Sequence, residues 1–278
     1  MWSGSFVALV TPFKENRSLD LEAFESLIKW HIEMGTEGFV LLGSTAEAAL
    51  LDQDEKQRLL QSAFSIDRGD IPMVVGVSHP STKVSVKESE QAFSLGADAC
   101  MATPPYYVKP TERGCVAHFS ALSAIGGPLM IYNHPGRTGI NLSSDLLEKL
   151  GRLPHVVAIK ESGGGSALCG EIPVFCGDDP LAHQMLLAGS AGSISVIANA
   201  FPREWSAFVR ASLEGKGDAS YLQGLLGAMN CDSNPVPIKY IMHKMGLCKA
   251  AVRLPLLELE ESSKAHIDAA LNEVVQAF

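Results

Sequence analysis

The sequence predicts an α/β protein, a (β/α)8 TIM barrel with a C-terminal helical extension. Eight short apolar segments alternate with amphipathic ones, a pattern typical of a parallel sheet whose strands are joined by helices. The length of 278 residues suits one such barrel, whose usual size is about 250 residues. From about residue 201 the strand-like segments stop and helical ones continue. We therefore expect a barrel carrying the active site over residues 1–200 and a helical region packed on it over residues 201–278.

The predicted strands are short apolar runs that follow one another at barrel-like spacing. In chain order they occupy residues 6–10, 38–44, 71–78, 99–105, 128–135, 156–162, 173–179 and 192–198. Several helix starts can also be identified between them. Asp20 is the expected N-cap of the first helix, and Asp52 and Glu55 have the spacing of a capping box. A later helix is expected to begin near Ser143 or Ser144.

Two stretches depart from the regular alternation. Only "SGGGSALCGEI" lies between the sixth and seventh strands, and it is too short and too rich in glycine for a full crossover helix. We expect a turn or two of helix there at most. In the C-terminal region, "REWSAFVRASLEG" and "DASYLQGLLGAMN" are amphipathic, and the proline-rich "SNPVPIK" is expected to separate them from later helices.

Composition and charge exclude several classes of protein. Hydrophobic residues make up 46% of the chain and charged residues 19%, which predicts a large core. The net charge of −9 argues against partners such as nucleic acid or an anionic membrane surface. The six cysteines include no C-x-x-C pair, which indicates reduced thiols in the cytosol. The opening "MWSGSFVALVTPF" has no basic leader and is too short to span a bilayer, so we expect a cytoplasmic protein.

Polar side chains gather at the ends of the predicted strands, where barrel enzymes carry their chemistry. They are Ser44, Thr45 and Glu47 on the second, Tyr106 and Tyr107 on the fourth, Tyr132 and Arg137 on the fifth, Lys160 on the sixth, and Gly177, Asp178 and Asp179 on the seventh. The eight histidines are dispersed, and no metal-ligand spacing stands out. Hydroxyls, phenols, a guanidinium and an amine suit carbonyl chemistry through an imine, with no metal and no cofactor.

The most informative of these residues is Lys160, which ends the apolar run of "VVAIKES". Partial burial favours the neutral amine, the form that attacks a carbonyl group to give a Schiff base. The phenol of Tyr132 could pass protons during that reaction. Ser44 and Thr45 could hold a carboxylate, and Arg137 could clamp a second one in bidentate fashion.

Each of these residues also has a purely structural explanation. A lysine at a strand end often extends its amine to water, and "GSTAE" resembles a helix-capping turn. Tyr106 and Tyr107 follow two prolines and could be loop packing, and Arg137 could be an ordinary surface charge. Their occurrence together on consecutive strand ends favours the functional interpretation.

The chain resembles the dihydrodipicolinate synthase family of the pyruvate-dependent class I aldolase superfamily, which includes N-acetylneuraminate lyase. The resemblance runs nearly end to end, through "GSFVALVTPF", "GSTAE", "TPPYY", "YNHPGRTG", "IKES", "CGDD", "GSISVIAN", "NPVPIK" and "RLPL". It implies a (β/α)8 barrel that condenses pyruvate with L-aspartate β-semialdehyde through a lysine Schiff base. It also implies a homo-oligomer, either a tight dimer or a tetramer of paired dimers.

The resemblance assigns roles residue by residue. Lys160 matches the Schiff-base lysine, and Tyr132 matches the phenol that works on the imine. Ser44 stands in the hydroxyl relay, and Tyr107 matches a tyrosine lent by the adjacent subunit.

Four positions match substrate-binding residues of the family. Thr45, together with the relay serine, would hold the pyruvate carboxylate, and Arg137 would receive the carboxylate of the semialdehyde. Gly177 and Ile194 match residues that line the pyruvate pocket.

The chain also departs from the family pattern. Relatives commonly have threonine at Ser44 and glycine at Ala46; because serine keeps the hydroxyl group, we expect activity to be retained. In relatives that L-lysine inhibits, the inhibitor cleft often holds polar residues that form hydrogen bonds. Of these positions, Tyr106 is retained in this chain. The others are occupied by Ala48, Gln53, Lys56, Pro80 and Val84. The resulting hypothesis is that L-lysine inhibits this chain weakly or not at all.

Three alternatives remain open at this point. The first is another pyruvate-dependent aldolase, acting on a 2-keto-3-deoxy sugar acid or on N-acetylneuraminate; Arg137 and "NPVPIK" argue against it. The second is a non-catalytic barrel that binds a keto acid, which loss of the lysine or the phenols would favour. The third is a pyridoxal-phosphate enzyme, but the chain lacks a convincing phosphate cradle with a pyridinium partner.

Overall fold

The computed structural model describes residues 2–218 and 220–276. Its strands are β1 Gly4–Ala8, β2 Gly38–Leu41, β3 Met73–Gly76, β4 Ala99–Ala102, β5 Leu129–Asn133, β6 Val156–Glu161, β7 Val174–Cys176 and β8 Gly192–Ser195. Each strand pairs in parallel with its neighbours in the chain, and β8 pairs with β1, so the sheet closes. The predicted eight-stranded barrel is confirmed, although each paired segment ends before its apolar run does.

The helices form the outer layer and the C-terminal region. They are α1 Leu21–Glu33, α2 Gln53–Phe64, α3 Thr82–Leu95, α4 Glu112–Ser123, α5 Pro135–Thr138, α6 Ser144–Gly151, α7 Ala182–Leu187, α8 Pro202–Leu213, α9 Gln223–Ala228, α10 Val236–Lys244 and α11 Glu261–Gln276. Three predicted starts are confirmed. Asp20 caps α1, Asp52 and Glu55 form the capping box of α2, and the side chain of Ser143 caps α6.

Side chains on each strand alternate between the barrel interior and the helical layer, because successive residues of a strand point to opposite faces. The interior cluster is formed by Phe6, Ala8, Val40, Val74, Ala99, Met101, Met130, Tyr132, Ala158, Phe175 and Ile194. Their neighbours along the strands, such as Val7 and Ile131, belong to the larger cluster between sheet and helices. Lys160 follows Ala158 by two residues on β6, so its side chain also points inward.

The connection between β6 and β7 contains no helix in the part of the chain that the structure describes. Instead it forms a small turn, closed by an antiparallel bridge between Cys169 and Ile172, with Gly170 at a φ of 56°. The expectation of at most a turn or two of helix is therefore confirmed. At this crossover a short turn takes the place that a helix has in the outer layer.

The first helix of the C-terminal region, α8, belongs to the outer helical layer of the barrel, and the later helices are added to that layer. Helix α8 contacts β1 and β8, and α9 packs against α11. The predicted break at "SNPVPIK" is shorter than expected, because α10 begins inside it at Val236. The division at residue 200 stays a prediction. Over residues 2–218 and 220–276, no helix combines the length and the apolar character needed to cross a membrane.

Candidate active site

Lys160 and Tyr132 lie side by side at the ends of neighbouring strands. They are register partners on β6 and β5, and both side chains point into the barrel. Lys160 is 4% exposed and Tyr132 is 5% exposed. The Nζ atom of Lys160 lies 4.3 Å from the centre of the Tyr132 ring. Among the described residues no carboxylate forms an ion pair with this lysine, so its amino group is not held by a fixed counter-charge.

Gly177 provides the space that the Lys160 side chain occupies. A Cβ atom at this position would lie 2.5 Å from Cε of Lys160 and would overlap Oγ of Ser162. Contacts this short do not occur, so a larger residue would displace the lysine. Ile194 on β8 is fully buried in the same interior cluster as Tyr132. Both residues thus lie around the Lys160–Tyr132 pair.

A second pair of residues supports the same two strands from their outer face. Asn133 and Glu161 directly follow Tyr132 and Lys160, and they too are register partners. Nδ2 of Asn133 donates to the buried Glu161 carboxylate at 2.9 Å, and the N–H of Gly163 donates to it at 2.7 Å. This contact joins the ends of β5 and β6 immediately behind the lysine and the phenol. The sequence analysis did not identify it.

The turn after β2 places Ser44 and Thr45 at the mouth of the barrel. Thr45 is buried, and its Oγ1 accepts a hydrogen bond from Nδ2 of Asn234 at 2.8 Å. The hydroxyl of Thr11 donates to the carbonyl oxygen of Ala46 at 2.7 Å and secures the other side of the turn. Glu47 adopts a φ of 54°, in the left-handed region where a residue with a side chain is strained. The turn is therefore held by contacts from distant parts of the chain.

The strongest of those contacts is a buried ion pair. The Glu47 carboxylate lies 2.5 Å from Nζ of Lys239 on α10, and it also accepts the N–H of Arg253 at 2.9 Å. Nζ of Lys239 donates as well to the carbonyl oxygen of Ala251 at 2.9 Å and lies 4.1 Å from the centre of the Phe13 ring. Burial lowers the pKa of Lys239, and the negative charge of Glu47 opposes that shift. Glu47 belongs to "GSTAE" and Lys239 to "NPVPIK", but nothing in either segment predicts that the two side chains pair.

A cavity of about 550 Å³ opens above these residues. Ser44, Tyr132 and Arg137 all contribute to its wall. Nη2 of Arg137, on α5, donates to the main-chain carbonyl oxygen of Asn234 at 3.2 Å. Cavities of this size hold small-molecule ligands in many proteins. The cavity wall thus brings together a hydroxyl, a phenol and a guanidinium, and the ring of that phenol contacts the buried lysine.

His134 adds a titratable group to this neighbourhood. Its ring centre lies 5.6 Å from that of Tyr132. Burial lowers the pKa of His134 to about 4, and the positive charges of Arg137 and Lys160 act in the same direction. The imidazole is therefore neutral at neutral pH and adds no third positive charge beside the lysine. The sequence analysis did not include it among the candidate residues.

The two acidic residues after β7 are Asp178 and Asp179, and the contacts of Asp179 are structural. Asp179 is buried and accepts hydrogen bonds from the main-chain N–H groups of Val196 and Ile197 at 3.0 and 2.7 Å. These bonds hold the chain just after β8. Burial raises the pKa of Asp179 to about 6 and also raises the pKa of Asp178.

Tyr107 lies outside the site of its own chain. It is 89% exposed, and its φ of 69° lies in the left-handed region. Tyr106, by contrast, contributes to the cavity wall. Burial raises the pKa of Tyr106, and the nearby negative charge of Glu88 adds to the shift. Of the proposed site residues, Ser44, Tyr132 and Arg137 share the cavity wall, whereas Tyr107 lies apart from it.

Four positions of the predicted inhibitor cleft line the cavity, namely Ala48, Gln53, Lys56 and Tyr106. Nζ of Lys56 lies 2.8 Å from Oε1 of Glu88, and Nε2 of Gln53 donates to the same oxygen at 2.8 Å. The positive charge of Lys56 is therefore paired inside the cleft. This partner could not be predicted from the segment that contains Lys56, because Glu88 lies one helix further along the chain.

Comparison with known proteins identifies the class of this site. Residues 1–274 match the dihydrodipicolinate synthetase family, and the chain belongs to it. Members of this family are lyases of the class I aldolase type. The chain is 38% identical to a 4-hydroxy-tetrahydrodipicolinate synthase of Geotalea uraniireducens, over 98% of this chain and 99% of that one. It is 39% identical to the enzyme of the same name from Nitrosomonas eutropha, over 96% of this chain and 95% of that one.

A solved structure gives the same result. A chloride-inhibited dihydrodipicolinate synthase from Acinetobacter baumannii, complexed with pyruvate, is 34% identical, with a TM-score of 0.94. The match covers 98% of this chain and 99% of that one. The predicted family and fold are therefore confirmed. The roles assigned to single residues stay predictions.

Proposed function

We propose that this chain is a 4-hydroxy-tetrahydrodipicolinate synthase that condenses pyruvate with L-aspartate β-semialdehyde in diaminopimelate and lysine biosynthesis. The observation that carries the proposal is the buried Lys160, which has no carboxylate partner among the described residues and whose Nζ lies 4.3 Å from the centre of the Tyr132 ring. The names of the relatives and the pyruvate complex of the Acinetobacter baumannii enzyme support the same reaction.

The first step forms the Schiff base. The neutral amine of Lys160 attacks the keto carbon of pyruvate, and the resulting carbinolamine loses water to give an imine. The site must deliver a proton to the departing hydroxyl group. We propose that the phenol of Tyr132 makes this transfer, since the centre of its ring lies 4.3 Å from Nζ of the lysine. Ser44, on the wall of the same cavity, is proposed to connect it to further proton carriers.

The second step forms the carbon–carbon bond. The protonated imine withdraws electrons, so the pyruvyl methyl group loses a proton and becomes an enamine. The enamine carbon adds to the aldehyde carbon of the semialdehyde, and the aldehyde oxygen takes a proton to become a hydroxyl. The amino group of the second substrate then attacks the imine carbon and displaces Lys160 as the ring closes. One water molecule is released in the whole sequence, at imine formation.

Two carboxylate sites are proposed to orient the substrates. Thr45, together with Ser44, would hold the carboxylate of pyruvate at the inner end of the cavity. Arg137, at the cavity wall, would hold the carboxylate of the semialdehyde in bidentate fashion. Gly177 and Ile194 would shape the pocket around the pyruvyl group.

The proposed enzyme is a homo-oligomer, with a dimer as its minimum and a tetramer of paired dimers as the larger form. The adjacent side chains of Tyr107, 89% exposed, and Val108, 57% exposed, offer apolar surface at the point where the contact with another copy is proposed. We propose that Tyr107 completes the proton relay of the adjacent subunit. The proposal includes a cytoplasmic location, no cofactor, no metal, no nucleic acid and no membrane partner.

The test is borohydride reduction in the presence of pyruvate, followed by intact mass and peptide mapping. We expect a single reduced pyruvyl adduct on Lys160. No adduct on a folded protein would favour a barrel that only binds keto acids. An adduct on another lysine would contradict the residue assignment.

A substrate panel then separates the proposed reaction from those of other pyruvate-dependent aldolases. The proposal requires turnover with L-aspartate β-semialdehyde that exceeds turnover with 2-keto-3-deoxy sugar acids and with N-acetylneuraminate. Arg137→Ala is expected to raise KM for the semialdehyde more than KM for pyruvate, because its guanidinium is assigned to the second substrate alone.

A further inference from the structure

One residue of the C-terminal region contacts both proposed carboxylate sites. Nδ2 of Asn234 donates to Oγ1 of Thr45 at 2.8 Å. The main-chain carbonyl oxygen of the same residue accepts from Nη2 of Arg137 at 3.2 Å. Thr45 follows β2 and Arg137 lies on α5, so Asn234 joins two strand ends that have no direct contact in the barrel wall. The sequence analysis assigned it no role.

The direction of the first hydrogen bond determines what Thr45 can do. A threonine hydroxyl has one proton to donate and two lone pairs that accept. Because the Asn234 amide donates to Oγ1, a lone pair is occupied and the hydroxyl proton remains free. That proton can then be donated to an anion, which is the function proposed for Thr45. Thr45 is 2% exposed, so water offers little competition for its hydroxyl.

The Asn234 side chain is otherwise uncommitted. Its Oδ1 is buried and has no hydrogen-bond partner within the described residues. Removing the amide therefore breaks one bond, the one to Thr45, and leaves the carbonyl that supports Arg137 in place. The two contacts of this residue can be separated by experiment for that reason.

We infer that Asn234 is a positioning residue that sets the Thr45 hydroxyl as a donor toward the pyruvate carboxylate, while its main chain supports Arg137 at the second substrate. The inference rests on the proposed function and names the residue through which the C-terminal region reaches the chemistry. Because its side chain acts through Thr45, the effects of the two side chains on pyruvate binding depend on each other.

The experiment is a double-mutant cycle with Asn234→Ala and Thr45→Val. We expect Asn234→Ala to raise KM for pyruvate about tenfold, the size of one hydrogen bond to a charged group lost. KM for the semialdehyde should change less than about twofold, a change small on the same scale. In the Thr45→Val background, Asn234→Ala should have no further effect on KM for pyruvate, because the hydroxyl it orients is gone. Equal changes in both KM values, or additive effects of the two substitutions, would overturn the inference.

Asn234→Asp is the second variant, since it keeps the shape of the side chain but has no N–H to donate. Its carboxylate would accept a hydrogen bond from the Thr45 hydroxyl and would repel the pyruvate carboxylate. We therefore expect a larger rise in KM for pyruvate than in the alanine variant. Wild-type KM in the aspartate variant would mean that Thr45 donates to residue 234, and would overturn the proposed direction. This variant also decides the matter if the alanine variant does not fold.

Two controls complete the design. Asn230→Ala alters an exposed side chain that makes no hydrogen bond within the described residues and is not part of the cavity wall, and it should leave both KM values unchanged. The borohydride adduct on wild-type Lys160 tests the proposed function separately. If the adduct forms and the cycle is additive, only the role of Asn234 fails. If no adduct forms, the proposed function fails first.

Discussion

Two lysines of this protein are buried to a similar extent and have opposite surroundings. Lys239 is fully buried, contacts the Glu47 carboxylate at 2.5 Å and donates to the carbonyl oxygen of Ala251. Lys160 is 4% exposed and faces the ring of Tyr132 without an ion pair in the described part of the chain. A buried ammonium group is stable when its charge and its donors are matched. Lys239 is therefore a structural lysine, whereas Lys160 remains available for chemistry.

The largest effect is expected from Lys160→Met. Loss of the only proposed nucleophile should reduce kcat by on the order of 10³-fold or more and abolish the borohydride adduct. Stability should be retained, because no carboxylate is left unpaired. The measurements are steady-state rates, adduct mass and urea unfolding. A variant that keeps its activity would contradict the assignment of Lys160.

The matched change, Lys239→Met, is expected to act on stability. It leaves the Glu47 carboxylate buried without its cation, which typically costs about 3–5 kcal/mol of unfolding free energy. Replacing Glu47 by Gln in the same chain should recover part of that loss. Urea unfolding of the single and double variants measures both quantities. A single variant within about 1 kcal/mol of wild type would show that the ion pair is not what holds the β2 turn.

Gly177→Ala is a smaller perturbation of the Lys160 side of the comparison. The added Cβ would lie 2.5 Å from Cε of Lys160, so the amine must move away from its present position. Displacement of a reacting group by about 1 Å costs on the order of 100-fold in rate. The control is Gly227→Ala on α9, where an added Cβ meets no atom within 4 Å. The Gly227→Ala variant should keep full activity. A wild-type rate for Gly177→Ala would contradict the inference that residue 177 must be glycine to leave room for the Lys160 side chain.

The smallest expected effect concerns Lys56, a third lysine with a different partner. Its charge is paired with Glu88 at the predicted inhibitor cleft, where Pro80 and Val84 have no polar side chain. We therefore expect millimolar L-lysine to leave the turnover rate nearly unchanged. Initial rates with and without L-lysine check this, with D-lysine as a matched control. Complete inhibition by L-lysine at that concentration would contradict the hypothesis.

Features encoded by neighbouring residues could be predicted from the sequence. The eight strands follow from apolar runs, and the capping box of Asp52 and Glu55 follows from a spacing of three residues. The position of Lys160 at a strand end also follows from its own segment, and the register with Tyr132 follows once the barrel is assumed. The family resemblance supplied the roles, which no local pattern contains.

Features that join distant parts of the chain could not be predicted. Glu47 and Lys239 are 192 residues apart, and no spacing rule indicates which buried charges will pair. The same holds for Thr45 and Asn234, which are 189 residues apart. The chain contains other acidic and amide residues that would serve equally well by composition. Only the packing of α10 against the barrel mouth selects these partners.

The crossover between β6 and β7 has little spare length. Residues 162–173 make the whole connection, near the lower limit of about a dozen residues for joining adjacent parallel strands. A deletion in this segment would pull β7 out of register with β6 and carry Gly177 away from Lys160. An insertion would meet no such restriction, because loop length costs little free energy once the ends can reach. The barrel can therefore be extended at this point, but it can hardly be shortened.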